Sequence, residues 1–324
     1  MNKHIIYTVI VILFLSVSCK KKQEISSTCP SQLYGNSSSY PYASTINSFK
    51  SNIGILDLST NSFASYTTIP FLNSDRQSCF NPDDNCYYMF QTYGANSKMY
   101  STLYKIDADG SITGINAMDS SQYSSLIYNQ KLHKIYCIGN NKIGEVSIDG
   151  ALFSIKNTTG PIRSFIQNSA SITVDNTTGD MYYITGDVRY ATNGFFIEKY
   201  NPANSQPVVV AGINALYWET YRPWELCYNK NDKMLYAVKY PLVISPATII
   251  KIDPSSGSNT GVYVLGYFDT VLSSSCVDPC NNRYYLSMGI PYTHNSFLYK
   301  FDLSSNTVTK DTLKDVFVEG LNFR

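Results

Sequence analysis

Chemistry in this chain has to come from few residue types, since 324 residues include 3 His and 8 Cys. The densest candidate is the run Tyr217-Trp218-Glu219-Thr220-Tyr221-Arg222-Pro223-Trp224-Glu225, which holds both Trp of the protein. Indole and phenol faces with a guanidinium between them can stack a flat apolar ligand face and hydrogen-bond its rim. Arg222 can pair an anionic group or stack on a ring. Tyr292 and His294 form a second aromatic segment. His294 has no His or Cys nearby, so it offers a contact rather than a metal centre. The carboxylates Asp75, Glu219 with Glu225, Asp269 and Glu319 come from four separate segments. If they converged, their oxygens would suit a hard cation such as Ca²⁺; which residues would ligate a metal is unreadable. There is no Gly-rich phosphate loop, His-Glu-x-x-His or Cys-x-x-Cys pair, so no catalytic residue and no organic cofactor is assigned.

The composition narrows the class of protein that must position these residues. Lys+Arg 25 against Asp+Glu 24 gives a net charge of +1, which leaves no electrostatic footprint for nucleic acid. Charged residues make up 15% and hydrophobic ones 44%, a globular balance. Aromatics reach 14%, with 28 Tyr. Tyr and Thr suit a half-buried pleated surface, so the composition points to an extracytoplasmic all-β protein.

The N-terminus reads as a targeting segment. Lys3 and His4 precede an apolar run from Ile5 to Leu15, too short to span a bilayer comfortably. Leu15-Ser16-Val17-Ser18-Cys19 follows, and this run resembles the lipobox of bacterial lipoproteins, with Ser16 where Leu is commoner. The resemblance implies removal of residues 1–18 and a diacylglyceryl group, with its palmitate-like chains, on Cys19. Residues 19–28 then form a tether, and Lys20-Lys21-Lys22 can touch anionic headgroups. Position 20 is Lys rather than the Asp of the usual inner-membrane retention signal. The expected address is therefore the cell envelope, lipid-anchored to the outer membrane and facing either the periplasm or the exterior. A plain secretory signal with an incidental Cys is the alternative.

Residues 29–324 form the folded domain, and they repeat. A turn rich in Asn, Asp and Gly followed by an aromatic strand ends on Tyr34, Tyr88, Tyr136, Tyr183, Tyr236 and Tyr285. An alternating strand ending in Asp or Asn follows each, at Asp57, Asp107, Asp149, Asn201, Asp253 and Asp302. A third unit precedes most of these tyrosines: Cys79-Phe80-Asn81, Ile127-Tyr128-Asn129, Thr173-Val174-Asp175, Cys227-Tyr228-Asn229 and Cys276-Val277-Asp278. Asx and Gly supply turn dihedrals between short alternating strands. Four strands in about fifty residues is the period of a propeller blade. The first module lacks an innermost strand, and Val316 to Phe323 supplies one at the far end. The fold expected is all-β, a six-bladed β-propeller of four-stranded blades closed by the C-terminal strand. These repeats are similar to those of bacterial propeller lipoproteins of the NHL and YVTN-like kind.

Such a ring sorts its connections onto two faces, short turns on one and longer loops on the other. Trp218, Tyr221, Arg222, Trp224, Tyr292 and His294 fall on the long-loop face, with the Trp segment before an inner strand at Leu226-Cys227. Binding usually lives on such loops. The bland alternative is that these aromatics plug the seams between blades. The expected function is binding of a protein or glycan partner, without catalysis. The competing reading is a hydrolase, or a lactonase-like propeller, using the channel-mouth carboxylates and a divalent cation. Cys79, Cys227 and Cys276 share one slot and read as buried packing. Cys29 and Cys280 occupy equivalent turns of adjoining blades and are a candidate disulfide, with Cys86 as a competing partner for Cys29. The oligomeric state is unreadable. Replacing Cys19 by Ala is expected to release the protein from the membrane fraction and abolish labelling by a fatty-acid probe; an unlabelled parent that stays membrane-bound regardless would remove the lipid anchor.

Overall fold

Asn and Asp at strand ends cut this chain into short, regular pieces. The computed structural model describes residues 33–38, 51–69, 78–95, 98–117, 123–139, 142–157, 171–186, 195–204, 206–213, 222–240, 246–266, 273–289, 296–314 and 317–323. All lie in one compact unit, Ser31–Arg324. Every regular element among them is a strand.

The strands group into antiparallel meanders. The first is β1 (Leu33–Ser38), β2 (Ser51–Asp57) and β3 (Ser62–Ile69). The second is β4 (Ser78–Asn81), β5 (Cys86–Ala95), β6 (Lys98–Ile106) and β7 (Ile112–Ala117). The third is β8 (Tyr123–Asn129), β9 (Lys134–Gly139), β10 (Lys142–Asp149) and β11 (Leu152–Asn157). The fourth is β12 (Ile172–Asp175), β13 (Asp180–Gly186), β14 (Phe195–Tyr200) and β15 (Val208–Ile213). The fifth is β16 (Arg222–Asn229), β17 (Met234–Tyr240), β18 (Ala247–Ile252) and β19 (Asn259–Gly266). The sixth is β20 (Ser273–Asp278), β21 (Arg283–Gly289), β22 (Ser296–Asp302) and β23 (Thr307–Leu313). The last strand, β24 (Phe317–Phe323), returns to pair with β1 and completes the first meander in the order β24-β1-β2-β3.

The first strands of these meanders touch in a closed cycle, β24 to β4, β8, β12, β16, β20 and back to β24. The chain is an all-β propeller. Its core is not central but divided among the seams. Each buried cluster takes residues from two neighbouring meanders: Tyr88 and Phe90 with Tyr128 and Phe153, Ile184 and Ile197 with Leu235 and Ile250, Val238 and Ile249 with Leu286 and Phe301. The closing seam joins Leu298 and Leu313 to Leu33, Val318 and Leu321. Polar rungs cross the same seams. The Leu226 and Tyr228 amides donate to Ser171 Oγ (2.8 Å) and Thr173 Oγ1 (3.0 Å), and the Leu321 amide donates to Ser274 Oγ at 2.9 Å.

Two features depart from the repeat as read. The register pairs Cys79 with Tyr88, Ile127 with Tyr136, Cys227 with Tyr236 and Cys276 with Tyr285, but in the fourth meander it pairs Thr173 with Tyr182. The repeating tyrosine there is Tyr182, not Tyr183. One residue of slip turns a strand side chain to the other face. Tyr182 accordingly stacks on Tyr228 of the fifth meander at 5.6 Å, whereas Tyr183 joins Tyr136 and Ile143 of the third. The second departure is at the outer edge. β7 and β11 pair in parallel, Leu152 with Asn116 and Phe153 with Ala117, so the second and third meanders share one eight-stranded sheet. This covers two strand edges that would otherwise stay open.

β24 buries Val318 and Leu321 and supplies the Leu321 rung. Burying each such side chain contributes roughly 1.5–3 kcal/mol, and each kcal/mol shifts the melting temperature of a domain this large by about 2–4 °C. Deleting residues 316–324 is expected to lower the melting temperature by roughly 10 °C or more. An unchanged melting temperature would refute strand donation.

Candidate functional site

One rim of the ring is built from a single repeated device. At the turns after the inner strands, the side chains of Asn81, Asn129, Asp175, Asn229 and Asp278 each accept a main-chain N–H from two or three residues on. The donors are Asp83 (3.0 Å), Leu132 (3.2 Å), Thr177 (2.9 Å), Asn231 (3.3 Å) and Cys280 (2.9 Å). This is why Asx residues recur at that position. The residue closing each turn is left-handed: Asn85 (φ 59°), His133 (55°), Gly179 (83°), Lys233 (59°) and Asn282 (50°). The turns after the third strands repeat the device with Asp57, Asn201, Asp253 and Asp302. Some caps reach across seams. Asn129 Nδ2 donates to the Gly179 carbonyl at 2.9 Å, and Asn229 Nδ2 to Asn282 Oδ1 at 2.8 Å.

The opposite rim carries connections of uneven length: 39–50, 70–77, 118–122, 158–171, 187–194, 214–221, 241–246, 267–272 and 290–295, against 96–97 and 140–141. Trp218, Tyr221, Tyr292 and His294 lie outside the described residues, as do Cys19, Cys29, Asp75, Glu219 and Asp269. Arg222 and Trp224 were expected in a loop. Their backbone instead belongs to β16, Arg222 opposite Tyr240 and Trp224 opposite Val238, with the register shifting before Cys227. Arg-Pro-Trp-Glu breaks the alternation of a strand and so read as loop; a bulge at Glu225, with φ 60°, absorbs the irregularity. Glu225 is buried, and its carbonyl accepts bonds from Ser275 Oγ (3.0 Å) and Tyr284 Oη (3.1 Å) of the sixth meander. Glu319 sits in β24 opposite Asn36. Among the described residues no three His, Cys, Asp or Glu are grouped to hold a metal ion. Tyr93 and Tyr100 are paired in register across β5–β6, which a two-residue connection closes.

The cysteines divide clearly. Cys280 is disulfide-bonded, while Cys79, Cys86, Cys137, Cys227 and Cys276 are buried and in no disulfide. Desolvation pushes the Cys227 thiol up to about 12 and raises Cys79 and Cys276 as well, so these sulfurs pack rather than react.

Two groupings on the short-turn rim were not foreseen. Asp83 Oδ2 accepts a bond from Tyr128 Oη and lies 2.6 Å from His133 Nδ1, tying the second meander to the third. Desolvation opposes ionisation of Asp83, but these two bonds and the charge of His133 hold its carboxyl below the ordinary value. Nearby, Tyr88 Oη donates to Asp84 Oδ2 (2.6 Å), and Asp107 Oδ1 takes Cys86 Sγ (2.9 Å) and Lys105 Nζ (3.2 Å). Between the first and second meanders lies a cavity of about 280 Å³ lined by Tyr34, Tyr66, Phe80, Asn85, Tyr87 and Asp107, among others. Its signal in the sequence was Ala108, at a position where two other repeats carry Leu.

No family model matches the chain, and no curated protein matches it. Solved structures do. A chain of a nidogen/laminin complex is 13% identical with a TM-score of 0.60, the match covering 90% of this chain and 97% of that one. TolB from Acinetobacter baumannii is 10% identical with a TM-score of 0.58 over 90% of this chain and 66% of that one. Hydrazine synthase of Kuenenia stuttgartiensis is 12% identical with a TM-score of 0.60 over 90% and 46%. The chain thus spans about two thirds of the TolB chain and under half of the hydrazine synthase chain. At these identities the likeness is one of fold, the β-propeller.

The aspartate caps have a pH signature. Hydrogen bonds from the Ser255 side chain and backbone, then from Ser256, hold Asp253 at about 2; Ser59 and Thr60 do the same for Asp57. An unfolded Asp titrates near 3.9. The stabilisation is therefore complete above about pH 4 and is lost as pH falls toward 2. Asp253→Asn is expected to flatten the acid limb of a urea-midpoint profile. Superimposable profiles for parent and variant would contradict these caps.

Proposed function

We propose that this protein is a lipid-anchored, six-bladed extracytoplasmic propeller that binds a protein or glycan partner through its uneven rim. The observation that carries the reading is the contrast between the two rims. One is locked by the same Asx turn five times over, and the other varies from two-residue hairpins to the connection 158–171. A rigid frame presenting variable loops is how scaffolds of this kind bind. The segment 217–225 is the anchor we assign, with Trp218, Tyr221, Arg222 and Trp224, joined by Tyr292 and His294. Trp is enriched among residues whose truncation costs about 2 kcal/mol or more in binding. The backbone of Arg222–Trp224 belongs to β16, and a backbone already held in a strand lowers the ordering cost of binding. The nidogen/laminin structure is a complex of proteins, which accords with a partner-binding role for this fold.

Anchoring is assigned to Cys19, and Cys29 to the disulfide of Cys280. The bonded state of Cys280 and the five thiols in no disulfide support the latter.

Trp218 and Trp224 are the only two indoles, so fluorescence reads them without labels. Emission should be red-shifted and quenched by acrylamide. Trp218→Ala with Trp224→Ala should cost little stability but reduce binding on a glycan and envelope-protein array at least tenfold. Blue-shifted emission that acrylamide cannot quench would place both indoles in seams and overturn the assignment.

A further inference from the structure

The cavity between the first and second meanders has a specific origin. In three repeats the residue after the Asp that ends the third strand is apolar and open-chain: Leu58, Ala108 and Leu303. Leu303 packs into the seam between the fifth and sixth meanders, and Leu58 packs against the seam between the sixth and first. Ala108 is the matching residue for the seam between the first and second, and there the space of about 280 Å³ remains. The truncated plug leaves aromatic walls. Tyr34 stacks on Phe80 at 6.0 Å and 17°, while Tyr66 stands edge-on to Tyr34 at 6.2 Å and 74°. Two ring planes therefore meet near a right angle, and Tyr87 adds a further aromatic wall.

The polar lining comes from Asn85 and Asp107. Asp107 Oδ1 is engaged by Lys105 and Cys86, and Oδ2 accepts from Ser111 Oγ at 3.2 Å. Hydrogen bonds from Cys86 and then Lys105 hold this carboxyl below its ordinary value. Asp84 lies beside the same cluster, so two carboxylates face one ammonium. Among the described residues Asp107 is the charged group that lines the cavity; Asp84 and Lys105 both lie outside the lining.

We propose that this cavity binds a small organic ammonium ion. Ring faces attract a cation through their quadrupoles, most strongly when it is partly desolvated, and aromatic boxes are the usual receptors for quaternary ammonium groups. The carboxylate supplies the charge and the perpendicular rings the shape. An inorganic cation would lack use for aromatic walls, and an anion would meet Asp107. The site lies on the short-turn rim and does not depend on the partner-binding reading of the other rim.

The test is isothermal titration of the full chain with choline and with 3,3-dimethyl-1-butanol, which has the same shape without the charge. Choline should bind saturably, and the alcohol at least tenfold more weakly. Ala108→Leu should abolish choline binding while holding or raising the melting temperature, since Leu fills the matching place in two other repeats. Asp107→Asn should weaken choline at least fivefold and serves if the Leu variant folds poorly. Equal binding of the alcohol, no saturation by choline, or undiminished choline binding by both variants would overturn the proposal.

Discussion

The pairing of β24 with β1 is the constraint on which the molecule depends. The register runs from Leu33 opposite Phe323 to Ser38 opposite Phe317, and it joins residues at opposite ends of the chain. Among the described residues no meander has a core of its own. Each apolar cluster is completed only by its neighbour, so an open ring would leave the sixth meander and the first each with half a seam. Hydrophobic burial is roughly proportional to area removed from water. Closure therefore converts two half-seams into one buried one and removes two exposed strand edges at once. Lys300 adds a polar clasp at the same seam, donating to the Leu58 carbonyl and to Asn61 Oδ1, both at 2.9 Å.

Within that ring, local chemistry divides labour between the rims. Asx caps satisfy turn amides with the residue that ends the strand, so these turns need no tertiary contact to take shape. A left-handed position filled by Lys233, rather than Gly, Asn, Asp or His, shows that the ring holds that turn against its intrinsic preference. The same short rim supplies the interblade links of Asp83 and Asn129. Rigidity concentrated there is what allows the other rim to vary without loss of the fold.

Much of this was legible because the repeat is written in residues with local causes. Asn81 and Asp278 mark turns through their own side chains, and alternation such as that of Ser296–Asp302 marks a strand with one face on each seam. What was not legible depended on neighbours. Tyr182 and Tyr183 are equal candidates until register chooses a face. Arg222–Trp224 reads as loop until a bulge at Glu225 is allowed. The parallel β7–β11 pair leaves no pattern in either strand, because an outer edge needs only backbone. The cavity arises from a small residue, Ala108, whose meaning appears only beside Leu58 and Leu303.

Native-state hydrogen exchange tests closure most directly. The Leu321 amide bonds Ser274 across the final seam, and the Leu226 amide makes the matching bond to Ser171 within the ring. If the C-terminal strand closes the ring, both amides exchange only through global unfolding and show the same opening free energy, falling together with added denaturant. Exchange of Leu321 at a much lower and denaturant-independent opening energy, while Leu226 remains protected, would mean that β24 frays alone and that the ring stands without it.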